Sequence, residues 1–129
     1  MTTELTMLTW TAALTMVLWV PYILSFIGKY GLMDALTYKA DDKPNAPWAE
    51  RLKRAHYNAV ENLVPFAALV ITAHLAGVSN DTTALAATVY FWARLAHVIA
   101  YVSGVPFGRT LSFATGWFAM AAILLTLIG

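Results

Sequence analysis

Four runs of mostly apolar residues dominate this 129-residue chain, at about residues 5–27, 47–76, 82–103 and 110–128. A helix needs roughly 20 residues to cross a hydrocarbon layer of about 30 Å, and each run is close to that or longer. Lipid offers the backbone no water to bond, so runs of this kind fold as helices. Composition points the same way. Hydrophobic residues make up 60% of the chain and charged ones 12%, more apolar surface than a soluble domain of this size can hide. The expected fold is an all-α integral membrane four-helix bundle, up-down-up-down, with one transmembrane domain over residues 1–129.

Other classes lose ground quickly. A net charge of +1 makes no electrostatic case for nucleic acid as a partner. The chain has no cysteine, which excludes disulfides, thiolate metal ligands and a cysteine nucleophile. His56, His74 and His97 form no close ligand pair, so no metal site is expected. Neither GxGxxG nor a P-loop occurs. The first run carries Glu4 and lacks a basic leader, so it reads as a membrane helix rather than a cleaved signal. Pro21 and Pro65 lie inside spans and are expected to bend them. Residues 28–49 form the long polar stretch. Asp41-Asp42-Lys43-Pro44-Asn45 reads as a turn, and Leu32 to Tyr38 as a short amphipathic piece on the membrane surface.

Charge sets an orientation. Lys29, Lys39, Lys43, Arg51, Lys53, Arg54 and Arg109 all fall at one end of a four-span bundle, and only Arg94 does not. The positive-inside rule then places loops 28–49 and 104–109 in the cytoplasm and both termini outside. The expected location is a bacterial inner membrane, with lipids as partners.

Polar residues carried into the second span are the next constraint. Arg54, Asn58 and Glu61 follow one another at i+4 and i+3, so they share one side of a helix. Ionisable groups at that depth need partners and suggest function. The third span offers Arg94, His97 and Tyr101 at i, i+3 and i+7, with Tyr90 one turn further. At 1.5 Å per residue, Glu61 lies roughly 10 Å beyond Arg54, and Arg94 roughly 13 Å before Ser103. The matched depth predicts a Glu61–Arg94 ion pair inside the protein. Such a pair alone can serve packing. The wider set, with Arg54, Asn58, His97, Tyr101 and Arg109, has several donors and few acceptors, which suits an anionic polar ligand. Arg51, Lys39, Lys43 and Lys53 are read as headgroup contacts, and His56 as structural.

These residues resemble a known family. Arg54-Ala-His-Tyr-Asn-Ala-Val-Glu61, followed by Pro65-Phe66, resembles the second-helix signature of the MAPEG proteins, the membrane-associated proteins in eicosanoid and glutathione metabolism. Ala93-Arg-Leu-Ala-His97 with Tyr101, then a proline and Arg109-Thr110, resembles the third-helix signature and the start of the fourth helix. The chain looks like a small, bacterial-type member similar to the microsomal glutathione transferases. The resemblance implies a homotrimer that binds glutathione as co-substrate between subunits near the cytoplasmic side. It implies transferase or peroxidase action on lipophilic electrophiles or lipid peroxides.

By position, Asn58 and Glu61 would contact glutathione, with Arg54, Arg94 and His97 in the same pocket. Arg109 matches the arginine that holds the thiolate, Thr110 stands where some members have serine, and Lys29 stands for a base ending the first helix. Tyr101 is the second candidate for the sulfur, as a hydrogen-bond donor. A thiol of pKa about 8.5 is mostly protonated at neutral pH, and a guanidinium beside it favours the thiolate. One position departs from the pattern. Tyr57 stands where well-studied glutathione-using members have a second arginine, and it supplies no charge. The alternative expectation is therefore a non-catalytic, lipid-binding or scaffold protein of the same fold.

Overall fold

The protein, described over residues 1–129 by a computed structural model, is entirely helical. Its elements are α1 (Thr3–Val17), α2 (Trp19–Tyr30), α3 (Leu32–Leu36), α4 (Pro47–Leu75), α5 (Asp81–Ser103) and α6 (Gly108–Ile128). Taken together as Thr3–Tyr30, α1 and α2 form one of four helical stretches long and apolar enough to cross a membrane, with α4, α5 and α6 as the others. The chain is an integral membrane protein.

Local chemistry explains the boundaries. The first stretch is interrupted between Val17 and Trp19, just ahead of Pro21. A proline at position 21 has no N–H for the carbonyl of Val17, four residues earlier, and its ring crowds that carbonyl. The helix gives way there. Pro65, by contrast, leaves α4 continuous. α4 opens with Pro47 at its first turn, where a missing N–H costs nothing. Asn80 caps α5 by accepting from the Thr83 backbone N–H, while Thr83 Oγ1 accepts from the Asn80 N–H. At the other end of α5, Gly104 adopts φ 70° and lets the Val105 N–H reach back to the Ala100 carbonyl at 3.2 Å. Of the stretch Leu32 to Tyr38, residues Leu32–Leu36 form the short helix α3, directly after α2.

Two apolar clusters hold the bundle. One joins Phe66 and Val70 of α4 to Ala86, Ala87 and Tyr90 of α5 and to Ala119, Met120 and Ile123 of α6. Phe66 and Tyr90 stack with ring centroids 3.8 Å apart, and Gly116 keeps α6 close against Tyr90. The other joins Leu18 and Tyr22 to Ala49, Leu52, Ala55 and Ala59 of α4 and Val98 of α5. Between them, along α4 and α5, lies a polar layer.

Glu4 closes the opposite end. Its buried carboxylate accepts from Thr83 Oγ1 at 2.7 Å and from Ser79 Oγ at 3.1 Å, tying α1 to the start of α5.

Candidate functional site

Helical geometry decides which α4 side chains reach the interior. Leu52, Ala55, Ala59, Phe66, Val70 and Ala73 form its buried stripe. Asn58 and Asn62 flank that stripe and are half-buried, whereas Lys53, Tyr57, Val60, Glu61 and Val64 are exposed. On α5, Tyr90, Ala93, Arg94, His97 and Val98 point inward.

The polar layer forms where these faces meet. Arg94 is only 2% exposed and His97 only 3%. Arg94 Nη2 donates to Asn58 Oδ1 at 2.7 Å. The same nitrogen lies 3.4 Å from His97 Nδ1, and a guanidinium can only donate, so this contact holds Nδ1 as an acceptor. Asn62 Nδ2 donates to the Asn58 carbonyl at 2.9 Å and approaches its Oδ1 at 3.3 Å. Arg94 Nε and the Tyr90 hydroxyl are buried without a hydrogen-bond partner.

The expected Glu61–Arg94 pair does not form within the chain. Arg94 instead donates to Asn58 and lies against His97. Depth was matched, but direction was not. Glu61 is three residues past Asn58, which turns it about 60° around the helix from Asn58. That rotation moves it onto the exposed stripe with Tyr57 and Val64, and the amide of Asn58 takes its place.

One turn nearer the basic end, the side chains line an open pocket of about 400 Å³ between α4, α5 and the α5–α6 loop. Arg51, Arg54, Tyr101, Arg109 and Thr110 line it, with the Gly104–Phe107 turn as its floor. The Arg109 guanidinium sits over the Tyr101 ring, 5.0 Å from its centroid. Tyr101 in turn meets His97 edge to face at 5.5 Å, which links the cavity to the polar layer. Gly108 makes the loop's approach to α5 possible. A Cβ there would stand 3.0 Å from the Ala100 Cβ, tighter than ordinary contact.

Three guanidinium groups and no carboxylate line this space. Its volume falls in the range of about 300–1,000 Å³ usual for small-molecule sites, and its charge suits a ligand with carboxylates.

Of the candidates read from sequence, the chain brings Arg54, Tyr101, Arg109 and Thr110 to the cavity and Asn58, Arg94 and His97 to the layer above it. Glu61 is exposed. Lys29 stands elsewhere, donating to the Pro44 carbonyl at 3.3 Å over the Tyr30 ring. Two residues were missed. Arg51, read as a headgroup contact, lines the cavity and donates from Nε to the Val102 carbonyl at 3.0 Å. Its position three residues before Arg54 was the available signal. Asn62, one turn after Asn58, was the other. His56 does not line the cavity and has its Nδ1 2.8 Å from the Tyr22 hydroxyl. No cluster of three His, Asp or Glu side chains could hold a metal ion.

Comparison with known proteins adds to this geometry. The MAPEG family model matches residues 7–129. Microsomal glutathione S-transferase 1 of Homo sapiens is 38% identical over 69 residues, covering 53% of this chain and 44% of that protein. The same enzyme of Rattus norvegicus is 36% identical, and that of Bos taurus 38%, over the same lengths. The matching stretch thus spans less than half the length of these relatives.

Proposed function

Because this chain belongs to the MAPEG family, we propose that it is a membrane-bound glutathione transferase or peroxidase acting on lipophilic electrophiles or lipid peroxides. The observation that carries the reading is the cavity lined by Arg51, Arg54 and Arg109, three guanidinium groups with no carboxylate among them. Glutathione has two carboxylates, an ammonium and a thiol, and it supplies the sulfur nucleophile. The carboxylates fit the guanidinium groups of Arg51 and Arg54, which can bind them by paired hydrogen bonds. Arg109, held over Tyr101, serves the sulfur. Its charge favours loss of the thiol proton, and the Tyr101 hydroxyl can donate to the resulting thiolate.

The acceptor molecule reaches the sulfur from the lipid. With an electrophile, a carbon–sulfur bond forms and the leaving group departs with its electron pair. With a hydroperoxide, the sulfur is oxidised as the O–O bond breaks and an alcohol leaves. A second glutathione then releases the disulfide and water.

The proposal includes assembly as a homotrimer. Glu61 and Lys29 do not line the cavity of one chain, and they contribute only where a second copy brings them to it. It also places loops 28–49 and 104–109 at the cytoplasmic face of a bacterial inner membrane. One observation favours a second reading. Tyr57 is 53% exposed on α4 and offers no charge, which suits a non-catalytic lipid-binding or scaffold protein.

Turnover separates the two. Purified protein in detergent should conjugate glutathione to an electrophilic aryl halide, and Arg109→Ala should slow this by about 100-fold, as loss of one charge-stabilising donor does elsewhere. Thermal stabilisation by a lipid but not by glutathione, with no turnover, would favour the scaffold.

A further inference from the structure

A second cavity lies on the other side of α4's first turns, and nothing in the proposed reaction uses it. It measures about 530 Å³ and sits between α2, α3 and the start of α4, at the basic end of the bundle. Phe26 and Leu36 contribute to its apolar wall. Its charged lining is Asp41, Lys43, Glu50 and Lys53, two acids and two bases.

Opposite charges lining one cavity usually collapse into ion pairs. Here three of the four charged groups take other partners. Separate contacts hold three of the groups in place. Lys43 Nζ lies over the Tyr30 ring at 5.4 Å, and Lys53 Nζ over the Tyr57 ring at 5.8 Å. Glu50 Oε1 accepts from the Asn45 N–H at 3.0 Å. Asn45 fixes this corner. It accepts from Ser25 Oγ and donates to the Tyr22 carbonyl, both at 2.8 Å, so the α4 start is fastened to α2.

The geometry points to a binding site for an aminophospholipid, whose phosphate lies between Lys43 and Lys53 and whose primary ammonium faces Asp41 and Glu50. Three features select that class. The site adjoins α2, which completes the first membrane-spanning stretch, at the end where headgroups lie. Its charges balance, which disfavours a purely anionic lipid. Its carboxylates reward N–H donors, which a choline headgroup lacks. The apolar wall accepts the first methylenes of the chains.

The test is native mass spectrometry of the purified protein, exposed to equal amounts of phosphatidylethanolamine, phosphatidylcholine and phosphatidylglycerol of identical acyl chains. The ethanolamine lipid should be retained roughly fivefold over each of the others, the scale of one partly exposed charge pair. The double variant Asp41→Asn, Lys43→Gln, altering exposed loop residues, should bring the ratio to about one. Equal retention by the wild type overturns the assignment, and so does a preference for phosphatidylglycerol or a ratio unmoved in the variant. Displacement of the bound lipid by glutathione also overturns it, by giving the cavity to the soluble ligand. Should the double variant lose its melting transition, the wild-type ratios alone decide.

Discussion

Arg94 carries a guanidinium in the middle of a membrane-spanning helix, and its nearest acceptor is the amide of Asn58. Removing that amide leaves a buried donor on a charged group, which costs about 1–3 kcal/mol. Asn58→Ala should therefore lower the thermal unfolding midpoint in detergent clearly, whereas Asn58→Asp should restore or raise it. Equal stability of Asn58→Ala and the wild type would mean that Arg94 is held by other groups. Tyr90→Phe runs the other way. It keeps the stack on Phe66 and removes a buried hydroxyl that has no partner, so the midpoint should hold or rise. A loss of more than about 1 kcal/mol would reveal a partner for that hydroxyl. The residues of this layer were legible from spacing, since Arg94 and His97 repeat at helical intervals. The pairing was not. Spacing along a helix fixes depth to within a turn. Whether Asn58 or Glu61 turns inward depends on how α4 is rotated against α5, which only the packing of Ala55, Ala59 and Phe66 decides.

At the scale of elements, the α5–α6 turn positions the Arg109 side of the cavity, the side proposed to hold the sulfur. Gly108 lets the turn lie against Ala100, and Arg109 follows directly. Gly108→Ala adds a methyl group where none fits without movement, at a cost of about 1–3 kcal/mol if the neighbours cannot yield. It should impair conjugation more than it impairs glutathione binding, because Arg109 moves while Arg51 and Arg54 stay. A variant with unchanged turnover would show that the loop adapts. Helix extents were readable because apolar length and cap residues report them directly, as at Asn80 and Pro47. The interruption of the first stretch at Leu18 was readable as a bend, since Pro21 acts on the carbonyl four residues earlier. α4 runs unbroken through Pro65, because neighbouring helices decide whether a proline breaks a membrane helix.

Across the whole molecule, basic side chains gather at one end while Glu4 is buried at the other. The absence of cysteine makes the resulting orientation simple to check. A membrane-impermeant maleimide should label Asp42→Cys only after the cytoplasmic face is opened, and Thr3→Cys in intact spheroplasts. The reverse pattern would invert the proposed topology. The cavity itself was only half legible. Arg54 and Arg109 belong to recognisable motifs, but Arg51 joins them only once α4 lies beside the end of α5, where its Nε meets the Val102 carbonyl. That third guanidinium adds to the uncompensated positive charge of Arg54 and Arg109, and this charge is the basis for the proposed ligand. The most direct measurement is glutathione titration of the purified protein, followed by ultraviolet thiolate absorbance and by calorimetry in parallel. The account predicts saturable binding with a thiolate signal near neutral pH, the signal being lost in Arg109→Ala while binding persists. Absence of both heat and thiolate signal from the wild type, at glutathione concentrations in the millimolar range of about 1–10 mM that weak sites require, would contradict it.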